Sequence, residues 1–366
     1  MITMSREQIV AEFFKKGHLL TEDAIKLIEE AQTDASHSEP PQNLPLVVEP
    51  GDLRRPFSIL RNLTHKKTEI TSDDFVRFYN SKYEKMKSVI LSRIPKDFVS
   101  LNKIDMSRSE VHVLGIVKEI KEKDGKKVVD IEDPTGSVPV IFEAADFDAD
   151  VELDDVVAIR ALAGGKVLFG KKIIYPDMPL RQPTLGTGKA CFVSDFRLDE
   201  ASTKDAERFF EWFSQQDIPY LLVAGDLGDK ELFERYVERY CYIKTVFVIA
   251  AGNEYPQTPL KFESNKIVSL SNPAIVELGG LKVLMIHKGN TTFLKKRYLG
   301  RSSAILDEDY LVLDEMPDIM HTGHGDTPFI SNYKSTTIIN SGSLLGTFTP
   351  VVANFATRDV EKISIS

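Results

Sequence analysis

Cysteine is scarce in this chain, with two residues among 366, Cys191 and Cys241. A disulfide framework is therefore excluded, and a reducing compartment is the expectation. Both lie in strongly apolar stretches, which predicts buried thiols. Long hydrophobic runs are missing too. None approaches the roughly 20 residues needed to cross a bilayer, so no membrane partner is expected. The segment Met1 to Lys16 carries acidic residues and no cleavable apolar core, which predicts no secretory signal and a cytoplasmic, intracellular protein. Basic charge is not in excess either: 46 Lys and Arg stand against 55 Asp and Glu, a net charge of −9. The chain as a whole does not attract nucleic acid, so DNA contact requires a local basic patch or a partner.

What is present is a sequence of segments with different periods. Residues 1–31 read as a helical module. Ser5 with Gln8 is a capping-box pattern, and Ile9, Val10, Phe13 and Phe14 form an apolar stripe that Gly17 ends. Thr21 can cap a second helix with Ala24, Ile25, Ile28 and Ala31 on one face. Such a module either docks a partner or packs on its own chain, and both readings stay open. Residues 32–45, polar with Pro40, Pro41 and Pro45, read as a flexible linker. Residues 46–107 form a connecting region with a helix over 72–92. There Phe75, Phe78, Tyr79, Tyr83, Met86, Val89 and Ile90 follow the 3.6 period and Pro95 stops it. Arg77, Lys82, Lys85 and Lys87 are expected on its solvated face.

From 108 to 180 the period is that of short strands. Val111–Val117 leads to Asp124-Gly125, a strong hairpin turn, and Val128–Asp133, Val138–Phe142, Asp155–Leu162 and Lys166–Tyr175 follow. Evenly spaced short strands predict a Greek-key barrel of the OB type. Its loops carry Asp146, Asp148, Asp150, Glu152, Asp154 and Asp155. That charge favours a packing or protein-interaction barrel over autonomous single-strand binding.

Residues 188–366 alternate strand and helix, which predicts two sheets covered by helices. Five segments that each follow an apolar strand stand out: Ser194-Asp195-Phe196-Arg197, Gly225-Asp226, Gly252-Asn253-Glu254, His287, and Gly323-His324-Gly325-Asp326. Open α/β sheets gather functional loops at strand carboxyl ends. Gly-Asp alone is a common turn; five in order are far more specific. His321 and His112 lack that context and read as structural.

These five segments resemble the D-x-H, G-D, G-N-H, H, G-H-x-H pattern of the calcineurin-like phosphoesterase superfamily. The whole chain is similar to the small-subunit family of archaeal D-family DNA polymerases, relatives of the eukaryotic replicative polymerase B-subunits. Asp74–Asn80, Ile131–Gly136, Asp309-Tyr310-Leu311 through Pro317–His324, and Ile339–Ser343 carry that likeness. The fold it implies agrees with the pattern above: a multidomain α/β plus β chain with a helical module, an OB barrel and a two-sheet phosphoesterase domain. The resemblance implies two metal ions sharing a bridging aspartate. The first would be held at Asp195, Arg197, Asp226 and Asp326, the second at Asp226, Asn253, His287 and His324. The second set is complete in residue type; the first has lost both histidines. Arg197 cannot ligate, because a guanidinium stays protonated. An ion pair with Asp195, Asp226 or Asp326 is expected in the metal's place. Glu254 stands at the family's catalytic histidine. Two-metal catalysis steadies both attacking and leaving oxygens, so at most one Mn²⁺ or Mg²⁺ is expected and no two-metal centre. The implied function is an accessory small subunit in DNA replication, with its own 3′–5′ exonuclease site inactive or severely impaired. Its implied partners are a large catalytic subunit, DNA through the complex, and a sliding clamp. The competing reading is a one-metal exonuclease or stand-alone phosphodiesterase.

Overall fold

The computed structural model describes residues 5–33, 46–48, 57–66, 69–93, 98–107, 109–199, 203–325, 327–345 and 349–365. The expected linker falls almost wholly outside them, as does Asp326. Helix α1 (Arg6–Lys15) starts as expected, with the Ser5 side chain accepting from the Gln8 N–H and the Ser5 N–H donating to the Gln8 side chain. Strand β1 (Leu19–Leu20), helix α2 (Glu22–Thr33) and strand β2 (Val47–Val48) complete the module, the two strands pairing in parallel. Ile9, Phe13, Ala24 and Val48 form a buried cluster against which Tyr242 and Ile243 pack. The module thus rests on its own chain. Strand β3 (Phe57–Arg61) follows, in a region where the sequence pattern shows no strand signal.

The chain divides into two units, one drawn from residues 1–66, 180–289 and 317–366, the other from 67–179 and 290–316. In the second unit, α3 (Ser72–Leu91) buries Phe78, Tyr83, Met86 and Ile90. Lys82 corrects the sequence reading: it is 3% exposed, not on a solvated face. It lies one turn from both Phe78 and Met86, so its position on the helix is part of the inward stripe. Strands β4 (Glu110–Lys123), β5 (Lys126–Asp133), β6 (Gly136–Phe142), β7 (Val156–Ala163) and β8 (Leu168–Ile174) close a barrel in the order β4-β5-β6-β8-β7. The long β4 pairs with both β5 and β7, which closes the ring. Asp124 and Gly125 both have positive φ, 52° and 73°, as the tight hairpin turn requires. Val113, Val117, Val129, Ile131, Val140, Ile159 and Leu168 fill the interior. This is the OB-type barrel expected from the strand spacing.

In the first unit, β9 (Lys189–Ser194), β10 (Tyr220–Ala224), β11 (Thr245–Ile249) and β12 (Ile267–Leu270) run parallel, with α4 (Thr203–Ser214) and α5 (Lys230–Tyr240) between them. Strands β13 (Ala274–Leu278) and β14 (Leu281–Ile286) form a hairpin. Residues 290–316, which begin with α6 (Thr291–Lys296), then join the barrel unit. The chain returns as β15 (Ile319–Thr322), β16 (Phe329–Tyr333), β17 (Thr336–Asn340), β18 (Val351–Asn354) and β19 (Val360–Lys362). The result is two six-stranded sheets, β12-β11-β10-β9-β18-β19 and β16-β17-β15-β14-β13-β3.

Strand alternation explains why the sheets stack. Ala190, Phe192, Leu222 and Phe247 face Val276, Val283, Met285 and Ile339 across the inter-sheet core. Cys191, Val193, Leu221 and Val248 face the other way, against Phe209, Phe210, Phe213, Phe233 and Val237 of α4 and α5. Both cysteines are buried and unpaired, and burial pushes the Cys241 thiol up to about 12. No helix among the described residues is long and apolar enough to cross a membrane.

Candidate functional site

Asp195 directly follows β9, at the carboxyl end of the parallel strands, and is 3% exposed. A buried carboxylate needs donors, and three converge on it. His287 Nε2 lies 3.0 Å from Oδ1, and the Asp226 N–H donates to the same oxygen at 2.9 Å. The His324 N–H donates to Oδ2 at 2.8 Å. Burial opposes ionisation of Asp195, but the His287 side chain and the Asp226 and His324 amides outweigh it and hold the carboxyl below its ordinary range.

His287 is fixed from both ends. Nδ1 lies 3.0 Å from the Gly252 N–H nitrogen and 3.3 Å from Gly252 O, while Nε2 faces Asp195 Oδ1. Its own backbone N–H donates to Asn272 Oδ1 at 3.1 Å. The fully buried Asn272 also donates to Ala250 O at 2.9 Å and Gln257 Oε1 at 3.1 Å. Asn272 thereby ties the loop after β11 to the end of β14. Sequence reasoning missed it, because an Asn before Pro273 reads as a turn residue.

The backbone is drawn tightly around this pair. Asp195, Arg197 and His324 have φ of 47°, 46° and 57°, left-handed values that cost roughly 1–3 kcal/mol each for residues with a Cβ. Gly225, at φ 120°, has no alternative: a Cβ there would lie 2.3 Å from Asp195 Oδ1 and 2.6 Å from the His287 ring. A Cβ on Gly323 would lie 2.6 Å from Ala224 O. The loop after β17 holds the Asp195 turn from behind. Ser194 Oγ donates to Gly342 O, the Leu344 N–H and Ser343 Oγ donate to Asp195 O, and Asn340 Nδ2 donates to Gly323 O.

The expected ligand positions are thus only partly brought together. Asp195 and His287, assigned by the resemblance to different ions, bond to each other. Asp226 enters through its amide; its carboxylate is turned to its own loop and accepts the Gly228 N–H at 3.0 Å. The His324 ring is exposed, its centroid 5.5 Å from that of His287. Asn253 and Glu254 are exposed, and their side chains make no hydrogen bond among the described residues. Arg197 is half-buried and hydrogen-bonds through its backbone N–H to Asp226 O at 3.2 Å. Its Nε is buried without a partner, and among the described residues it makes no ion pair. The expected pairing of Arg197 with Asp195 or Asp226 is corrected on this point, because His287 and two amides already fill the Asp195 oxygens. Asp326 lies outside the described residues. Among them no group of three or more His, Cys, Asp and Glu side chains is gathered as an ion would require. His321 is a core residue, as expected: fully buried, edge-on to Phe192, and held by burial at a pKa of about 3.

Residues 189–362 match the calcineurin-like phosphoesterase superfamily domain. Along its length the chain is similar to the DNA polymerase II small subunit of Archaeoglobus fulgidus, 24% identical over 78% of this chain and 74% of that protein. The Methanothermobacter thermautotrophicus protein of the same name is 25% identical over 82% of this chain and 78% of its own. The one from Thermoplasma acidophilum is 26% identical over 74% of this chain and 71% of its own.

Proposed function

We propose that this chain, similar to archaeal DNA polymerase II small subunits across most of its length, is the accessory subunit of a D-family-like replicative DNA polymerase. Its work is to bind and stabilise a large catalytic subunit inside the cell, reaching DNA through that complex, with a sliding clamp as a further contact. The phosphoesterase pocket serves as a structural knot and not as a hydrolytic centre. One observation carries this reading: Asp195 and His287 satisfy each other at 3.0 Å, with both Asp195 oxygens and both His287 nitrogens engaged by protein groups. The positively charged Arg197 stands where a metal-binding histidine is needed. As folded, these donors do not fit a two-ion centre.

A specific observation favours a second reading, an exonuclease that works with one Mn²⁺ or Mg²⁺. The rings of His287 and His324 are neighbours at 5.5 Å, and Asp226 and Asn253 are exposed. The test is an assay of the purified chain with Mn²⁺ on labelled single-stranded DNA and on a generic phosphodiester. No hydrolysis above the metal-only control is expected, together with co-purification of a large polymerase subunit and no primer extension by this chain alone. Robust hydrolysis abolished by His287→Ala or Asn253→Ala would overturn the structural reading.

A further inference from the structure

Strand alternation sends Val129, Val140, Ala161 and Leu168 into the barrel, so Val128, Ile141, Leu162 and Phe169 point outward. These four are neighbours in register: Val128 of β5 with Ile141 of β6, Ile141 with Phe169 of β8, and Phe169 with Leu162 of β7. They form one apolar row across four strands on the outside of the ring. Phe169 is 46% exposed, and Val128, Ile141 and Leu162 are half-buried. Two glycines in the turn between β7 and β8 extend the row. A Cβ on Gly164 would lie 2.9 Å from the Phe169 ring, and one on Gly165 would lie 2.7 Å from Met106 Cγ. The bare backbone seats both side chains, and Met106 is 80% exposed. Exposed hydrophobes scattered singly are ordinary; contiguous ones mark interaction surfaces.

Charge around this row is uneven. Towards β4 and β5 it is matched: Lys121 meets Glu119 at 2.6 Å, Lys126 meets Glu143 at 2.7 Å, and Asp130 adds to the field on Lys121. At the β8 end there are four cations, Arg160, Lys166, Lys171 and Lys172, and two carboxylates, Glu110 and Asp105. Glu110 lies 3.8 Å from Arg160, and Asp105 accepts the Ser107 N–H at 3.0 Å. Lys166, Lys171 and Lys172 are exposed and make no hydrogen bond or ion pair among the described residues. Lys172 is in register with Arg160, which sets two cations side by side. In a chain of net charge −9 this is a local positive excess, and it adjoins the apolar row.

We propose that this face docks an extended acidic segment of a partner protein. An apolar side chain of the segment rests on Phe169 and Met106, and its Asp or Glu side chains meet Lys166, Lys171 and Lys172. Four strands span about 14 Å, the reach of about four extended residues. A nucleic-acid strand fits less well. Bases stack on aromatic faces, and Phe169 is the one aromatic among the five apolar side chains. Glu119 and Glu143 at the far end also repel phosphates. The surface does not depend on the polymerase assignment.

Fluorescence anisotropy of the full-length chain tests this with the labelled peptide acetyl-Asp-Glu-Phe-Asp-Leu-Glu-Asp-amide. One control peptide replaces Phe and Leu by Ser, a second replaces every acid by its amide, and an oligothymidylate stands for nucleic acid. The natural chain is expected to bind the acidic peptide about 10-fold tighter than either control peptide, and more weakly as salt is raised. Phe169→Ser and the double change Lys171→Glu with Lys172→Glu are each expected to weaken binding about 10-fold. Their melting temperatures should stay level, because these side chains are exposed. Leu185→Ser, at an exposed apolar residue outside the barrel unit, should change nothing. Any of three results refutes the proposal: no preference of the natural chain for the acidic peptide, tighter binding of oligothymidylate, or undiminished binding by both barrel variants. The comparison within the natural chain decides the matter even where a variant does not fold.

Discussion

His287 is a hydrogen-bond partner of the buried Asp195 carboxylate. Replacing it with Ala removes the side-chain donor to Asp195 Oδ1 and leaves a buried carboxylate short of a partner. A loss of about 3 kcal/mol is expected, measured as a drop in urea midpoint with or without added Mn²⁺. Gly225→Ala is expected to cost about as much, because its Cβ would collide with Asp195 Oδ1 at 2.3 Å. His321 gives a separate acid signature. Its folded pKa of about 3 lies below the ordinary 6.5, so the unfolded chain takes up a proton first as pH falls. The stability tied to it is complete above about pH 6.5 and drains away between there and about pH 3. At pH 4.5 the loss is about 3 kcal/mol. His321→Leu is expected to recover most of that at pH 4.5 while changing pH 8 stability by less than about 1.5 kcal/mol, as urea titrations at the two values would show. Asp195 acts later: with its carboxyl held below the ordinary 3.8, its contribution is present above that value and lost only as pH falls further.

Elements with a strong internal pattern are legible in the amino-acid sequence. The capping box at Ser5, the Phe78, Tyr83, Met86 and Ile90 part of the α3 stripe (its Phe75 and Tyr79 are exposed), the Asp124-Gly125 turn and the paired strands β13 and β14 each carry their signal within a few residues. So do the strand-end positions of Asp195, Asp226 and His287. What stays hidden depends on distant partners. Strand β3 exists because Phe57–Leu278 and Ile59–Val276 pair across more than two hundred residues, and nothing local distinguishes it from a connecting loop. Lys82 reads as solvated because lysine commonly is; its burial depends on Tyr298 arriving from residues 290–316. The Asp195–His287 bond is hidden for a related reason: ligand spelling gives residue types, whereas hydrogen-bond closure depends on how distant strand ends meet. At this scale Phe210 is the test of the helical layer. It stacks on Phe196 at 5.6 Å and Tyr236 at 5.2 Å and is fully buried. Phe210→Ala is expected to cost about 3–5 kcal/mol, read by chemical denaturation.

For the molecule as a whole, the two buried thiols report on global opening. Neither Cys191 nor Cys241 is accessible, and burial disfavours both thiolates. Native protein is expected to resist a thiol reagent until it unfolds, with both groups then reacting together. Ready labelling in native buffer would show that the helical face of the first sheet opens locally.

The two units are also interleaved along the polypeptide. One is assembled from three stretches of sequence and the other from two, and β18 hydrogen-bonds directly to β9 across some 160 intervening positions. As the chain leaves the ribosome, the β4–β8 ring can close early, but residues 290–316 reach its unit only after the first parallel strands have emerged. The first sheet must wait longer still, for its last two strands. A nascent fragment ending near residue 290 would therefore leave β9 without its β18 neighbour and the second sheet without β15, β16 and β17.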